Sequence, residues 1–138
     1  MPCSSTLRRQ VTDPQVLCLG EALVDRLGPP GGDPALDQPV EDRLGGAPAN
    51  VACALARLGT PVAFVGRLGM DAIGDQFSRL FQLRGIESSG VQQDPERPSR
   101  IVLVRRTHGG ERQFQGFAGD LGQGFADQAL QPSTLPGS

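Results

Sequence analysis

From Gly45 to Gly59 the chain reads Gly-Gly-Ala-Pro-Ala-Asn-Val-Ala-Cys-Ala-Leu-Ala-Arg-Leu-Gly, a flexible turn that runs straight into a helix. Paired glycines permit a tight turn and a close backbone approach, and Pro48 suits a first helical turn, where a missing N–H loses no partner. The spacing predicts a helix that begins near Pro48, buries Val51, Leu55 and Leu58 on one face and stops at Gly59 in a left-handed cap. A helix start of this kind aims free N–H groups and a partial positive charge at whatever lies before it, which favours an anion or a hydroxyl oxygen.

The flanking residues make this more than a turn. Val16-Leu17-Cys18-Leu19, closed by Gly20, reads as a short strand buried on both faces of a parallel sheet. Glu21 and Asp25 follow it. In open parallel sheets ligands bind beyond the carboxyl ends of strands, so an acid placed there reaches the same cleft as the Gly45 turn. An ionised carboxylate is a natural acceptor for hydroxyl donors.

Further along, Pro61 to Gly66 reads as a second strand, and Asp71 or Ala72 to Arg84 as a helix with Ile73, Phe77, Leu80 and Phe81 on its buried face and Gly85 beyond its end. Alternation of strand and helix implies an α/β layer with a parallel sheet. Ile101 to Arg106 and Arg112 to Phe117 flank Thr107-His108-Gly109-Gly110-Glu111, the pattern of a β-hairpin. Phe114 and Phe117 do not alternate within it, and packing is the favoured role for both over closure upon a ligand. From Gln123 onward the pattern fades.

Four ordered segments together resemble the ribokinase-like, or PfkB, family of carbohydrate kinases, and within it the fructokinases. They are Gly20-Glu21-Ala22-Leu23-Val24-Asp25, Gly45-Gly46-Ala47-Pro48-Ala49-Asn50, Val65-Gly66-Arg67-Leu68-Gly69-Met70-Asp71 with Gly74, and Arg105 to Asp120 ending in Phe-Ala-Gly-Asp. The resemblance covers residues 15–125 and implies the N-terminal part of a ribokinase-like parallel sheet flanked by helices, with a small β-sheet lid built from about residues 22–44 and 98–118. Residues 1–14 read as a loose tail, and residues 126–138 as an end cut between elements. Kinases of this family are considerably longer than 138 residues. The resemblance therefore implies that the nucleotide site and the aspartate base of a Gly-Ala-Gly-Asp motif belong to a later segment. Ala118-Gly119-Asp120 echoes that motif but ends a hairpin and lacks a following apolar helix, so no catalytic residue is assigned.

The resemblance implies an ATP-dependent sugar kinase, most like fructokinase, represented by its sugar-binding half and inactive alone. The substrate-binding residues expected are Asp25, Gly45, Gly46 and Asn50, with ATP and Mg2+ as cofactors of the longer enzyme and a homodimer through the lid. The alternatives are a kinase for 2-keto-3-deoxygluconate or another sugar, and a non-catalytic sugar-binding or dimerising fragment. Asp25 has capping or solvation in a loop as its competing role, and Asn50 has a hydrogen bond to the Gly45-Gly46 turn. Glu21 reads as a neighbour of the site, Arg67 and Asp71 as structural with Asp71 capping a helix, and His108, the one histidine, as having no partner for chemistry.

Bulk properties narrow the field. A formal charge of −2 without a concentrated basic surface argues against nucleic-acid binding. All 13 basic residues are arginine, so a Walker P-loop, which ends in Gly-Lys-Ser/Thr, is absent. Three cysteines without metal spacing, Cys3, Cys18 and Cys53, fit a reducing cytoplasm and no metal site. No apolar run has the length of a membrane helix.

Overall fold

The computed structural model describes residues 13–119 and 123–132. Residues 1–12 of the expected tail and residues 133–138 of the expected end lie outside them, as does Asp120.

Strands β1 (Val16–Leu19), β4 (Val62–Gly69) and β5 (Val91–Asp94) form a three-stranded sheet in the order β1-β4-β5, all parallel. Helices α1 (Ala47–Arg57) and α2 (Ala72–Arg84) lie between them in sequence. Strands β2 (Leu23–Pro30), β3 (Glu41–Gly45), β6 (Ile101–Arg106) and β7 (Arg112–Phe117) form a separate four-stranded sheet in the order β3-β2-β6-β7. Within it β2 pairs antiparallel with β3 and parallel with β6, and β7 closes the hairpin on β6.

The core fills the helical side of the three-stranded sheet. Cys18, Val62, Phe64 and Leu68 from the strands meet Ala49 and Ala52 of α1 and Phe77 and Phe81 of α2. The Phe64 and Phe77 rings lie 4.9 and 5.6 Å from that of Phe81, an aromatic trio that dominates the buried area. Helix α2 follows its expected bounds, with Asp71 as N-cap and Gly85 at φ 70° as C-cap. Helix α1 ends as expected, Gly59 holding φ 85°. Its buried face differs. Val51 and Leu58 are 51% and 80% exposed, and Leu55 alone of the expected face packs against the core. Ala49, Ala52, Cys53 and Ala56, at helical spacing of their own, face the sheet instead. Small side chains let the helix backbone lie close to the strands, and size misleads as a guide to which stripe is inside.

Four other expectations are corrected. Strand β1 is buried on one face only: Cys18 points to the helices, whereas Leu17 and Leu19, in register with Ala63 and Val65, are 47% and 52% exposed. Both helices pack on the Cys18 side, and among the described residues a 3-10 turn (Ala126–Ala129) packs on β4, while none covers the other side of β1. Strand β4 runs on past Gly66 to Gly69 because its last residues pair with β5, whose polar Val-Gln-Gln-Asp sequence carries no apolar signal. The sequence also reads Gly28 to Pro34 as a Gly/Pro-rich loop, and that loop starts later, since β2 continues to Pro30 across a register shift that accommodates its prolines. The segment after Gln123 retains structure, with Phe125 and Ala126 buried.

The hairpin strands have the expected bounds, and a bulge explains the two phenylalanines. Val104 pairs with Phe114 and Leu103 with Gly116, so Gln115 is an extra residue. The insertion puts Phe114 and Phe117 on the same face, their ring centroids 5.4 Å apart.

Candidate functional site

The Gly45–Gly46 turn forms where β3 of one sheet feeds α1 of the other layer. Gly46 is the N-cap of α1 at φ 96° and ψ 128°, and no side chain caps the helix. A Cβ there would lie 2.7 Å from the Glu21 carbonyl oxygen, so backbone conformation and space both demand glycine. Pro48 sits in the first turn, and the Asn50 N–H donates to the Gly46 carbonyl at 2.9 Å. The remaining first-turn N–H groups have no intrahelical acceptor.

Asp25 lies on β2, opposite Arg43 of β3 and Val102 of β6. It is not in a loop and caps nothing, because β2 is paired on both sides. Register places Asp25 on the same face as Arg43, Gly45, Val102, Phe114 and Phe117. A Cβ on Gly45 would fall 2.6 Å from Asp25 Oδ2, so the bare α-carbon of Gly45 is the floor beneath the carboxylate. Asp25 is half-buried and accepts no hydrogen bond among the described residues. Burial pushes its carboxyl above the usual range, opposed by the positive charge of Arg112. Asn50 is exposed at the head of α1, and its side-chain amide does not bond to the glycine turn, so that competing role is not realised. The structure thus brings Asp25 and Gly45 into contact and puts Gly46 and Asn50 one helical turn apart beside them.

Phe114 is 67% exposed, against the packing expected of it, while Phe117 is half-buried. The difference follows from what stands next to each. Phe117 meets Phe125 at 6.1 Å and the Arg100 guanidinium at 4.9 Å, whereas Phe114 has only Phe117 as an aromatic neighbour.

At the ends of β4 and β5 and the passage into β6 lies a polar network that the sequence reading largely missed. Asp71, expected as a cap, accepts from the Gly74 N–H at 2.9 Å and also from the Ser99 N–H and hydroxyl, each at 2.8 Å. Burial acts to raise its carboxyl, and these hydrogen bonds outweigh that and hold it below the usual range. Arg67 pairs with buried Asp94 at 2.9 Å. Asp94 is held well below the ordinary carboxylate range by the Arg97 N–H, Arg67 and the Glu96 N–H. Arg100 binds Asp127 through two hydrogen bonds of 2.7 and 2.8 Å, lies over the Phe117 and Phe125 rings, and faces Glu21 at 3.5 Å. Ser99, Arg100 and Asp127 lacked a sequence signal because their partners are far away in the chain. Arg112 was legible in principle, as the residue that the hairpin pairs with Arg106. His108 sits in the hairpin turn against Gly31, where it fills space.

Among the described residues, no group of three or more His, Cys, Asp and Glu could hold a metal ion, and no helix is long and apolar enough to cross a membrane. Cys18 and Cys53 are free thiols.

Comparison with known proteins agrees with the motif reading. The chain is 34% identical over 123 residues to probable fructokinase-6, chloroplastic, of Arabidopsis thaliana, a match covering 88% of this chain and 31% of that protein. It is 37% identical over 103 residues to fructokinase-1 of Oryza sativa subsp. japonica, covering 74% and 32%. The solved structure of a fructokinase with bound ATP from Xylella fastidiosa superposes with a TM-score of 0.73 at 36% identity, covering 87% of this chain and 36% of that one. The chain therefore spans about a third of the length of the curated relatives it matches. Its mixed α/β architecture is that of the ribokinase-like sugar kinases. With residues 13–133 matching the pfkB family carbohydrate kinase pattern, and the glycine turn and strand acid placed together by the fold, the chain belongs to the pfkB family of carbohydrate kinases.

Proposed function

We propose that this chain is the sugar-acceptor part of an ATP-dependent kinase of the fructokinase type, which forms fructose 6-phosphate. The observation that carries the reading is Asp25: a half-buried carboxylate that accepts no hydrogen bond among the described residues, lodged over a glycine whose missing side chain makes room for it. Such an acceptor is costly to bury unless a ligand supplies the donors. Sugar hydroxyls do so. The N–H groups of the glycine turn and the first turn of α1 face hydroxyl oxygens, and the Asn50 amide, donor and acceptor at once, spans two neighbouring hydroxyls. The four-stranded sheet acts as a lid, and exposed Phe114 on the Asp25 face closes over the sugar ring. Strands β3 and β7 are the free edges through which two lids pair in a homodimer.

Family membership implies the use of ATP. The described residues do not fit a magnesium–nucleotide site, since they hold no carboxylate cluster for the metal and the chain has no lysine. We assign that site, and the base that removes the hydroxyl proton, to the part of the kinase that this chain does not span. Fructose is preferred over 2-keto-3-deoxygluconate because the named relatives are fructokinases. Free cysteines in apolar surroundings suit a reducing compartment such as the cytoplasm.

The test is an ATP-dependent phosphorylation assay with fructose, ribose and 2-keto-3-deoxygluconate, run on this chain and on a protein continued in frame to the family's full length. Activity of the longer protein alone, strongest with fructose, is expected. Activity of the 138-residue chain would overturn the assignment of the base, and a preference for another sugar would overturn fructose.

A further inference from the structure

The chain passes between the two sheets from β1 into β2, from β3 into α1, and from β5 into β6 at Ser99 and Arg100, and these last two neighbours are fastened to different bodies. Ser99 belongs to the three-stranded side: its hydroxyl accepts from the Gly69 N–H at 2.9 Å while its own N–H and hydroxyl donate to Asp71, the cap of α2. A chain held at one such point can still pivot about it. Arg100 supplies the second attachment. Its carbonyl accepts from the Val24 N–H at 3.0 Å, one residue before Asp25. Its guanidinium lies 4.9 Å from the centroid of Phe117, on β7, and 4.7 Å from that of Phe125, which leads into the 3-10 turn. Asp127 of that turn accepts from the Arg100 Nε and Nη2, and the turn itself packs on β4.

We propose that Arg100 is a positioning residue, whose guanidinium bridges the four-stranded sheet to the 3-10 turn on β4 and thereby sets the angle at which Asp25, on that sheet, stands to Asn50 and the first turn of α1, which packs on the other. The functional half of this inference rests on the reading of Asp25 as a sugar ligand; the mechanical half does not. Arginine suits the task because its planar fork stacks on rings and binds a carboxylate in two places at once, which lysine cannot do. Glu21, 3.5 Å away, extends the bridge to the strand end before β2. With the Arg100 side chain removed, Phe117 and Asp127 lose their common partner, and the crossing keeps only Ser99 and its backbone hydrogen bonds.

Amide hydrogen exchange on the 138-residue chain reads this directly, with fructose titrated in parallel. Arg100→Met is expected to speed exchange at Val24 and along β6 about tenfold or more while leaving Phe64 and Val65 of β4 within about twofold, with Arg100→Lys between it and the parent. Equal acceleration in both sheets would make Arg100 a residue of general stability and overturn the inference, as would no change. Should Arg100→Met not fold, Asp127→Asn is judged by the same contrast, and loss of both sheets there also overturns it. If the parent does not bind fructose yet the exchange contrast appears, the sugar reading fails and the mechanical role stands. If the parent binds and Arg100→Met binds equally well, the positioning of Asp25 is overturned.

Discussion

The Asp25 carboxylate and the α-carbon of Gly45 occupy adjoining space so closely that a methyl group on Gly45 would lie 2.6 Å from Oδ2. Gly45 holds no left-handed backbone angle, so Gly45→Ala is expected to fold and to push the short Asp25 side chain aside. Gly46→Ala meets the Glu21 carbonyl at 2.7 Å and a φ of 96°, and is expected to lose about 1–3 kcal/mol of stability. Calorimetric melting combined with sugar titration separates the two: binding lost with the fold kept for the first, a lowered melting point for the second.

Asp25→Asn removes a charge that burial disfavours. A folded carboxyl whose pKa is raised opposes folding once it is ionised, so this variant is expected to melt no lower than the parent at pH 7. Sugar affinity is expected to fall about thirtyfold, ~2 kcal/mol, the scale of a hydrogen bond to a charged acceptor. A lowered melting point with affinity intact would assign Asp25 to structure.

Acid stability follows from the opposite case. Asp71 and Asp94 have pKa values depressed in the folded state, so their contribution is present above the unfolded-chain value of about 4 and is lost as pH falls below it. Thermal melts followed by circular dichroism from pH 7 to pH 3 are expected to decline steeply below about pH 4. Asp94→Asn should start lower at pH 7 and show a flatter decline, because it also leaves Arg67 buried beside an uncharged partner.

Leu17 and Leu19 present an apolar edge that no described element covers. The double substitution Leu17→Lys, Leu19→Lys is expected to remove aggregates larger than the lid dimer in light-scattering chromatography while changing stability by no more than about 0.5 kcal/mol. An unchanged association state would place self-association elsewhere on the surface.

What was legible in the sequence was local. Asp71 and Gly85 bracket α2 because cap chemistry is decided within a few residues, and the hairpin bounds follow from an apolar run and a phenylalanine-bearing stretch on either side of a glycine-containing turn. The inner face of α1 was misread because Val51 and Leu58 outweigh Ala49 and Ala52 in size although the sheet admits only small residues there. Strand β5 was missed since its buried positions, Gln92 and Asp94, are polar and satisfied by Gln131 and Arg67 from distant segments. For the candidate site, motif resemblance marked Asp25 and the glycine turn. The Ser99–Asp71 and Arg100–Asp127 pairs, separated by 28 and 27 positions, carry no periodicity by which to be found.

One carboxylate, Asp71, closes the first turn of α2 and also grips Ser99 at the crossing into β6. The start of that helix cannot fray without releasing the crossing, and the crossing cannot loosen without uncapping the helix. Two pieces of architecture that look separable on a topology diagram are thus bound into a single cooperative unit, one that a cell's quality control would meet either whole or not at all.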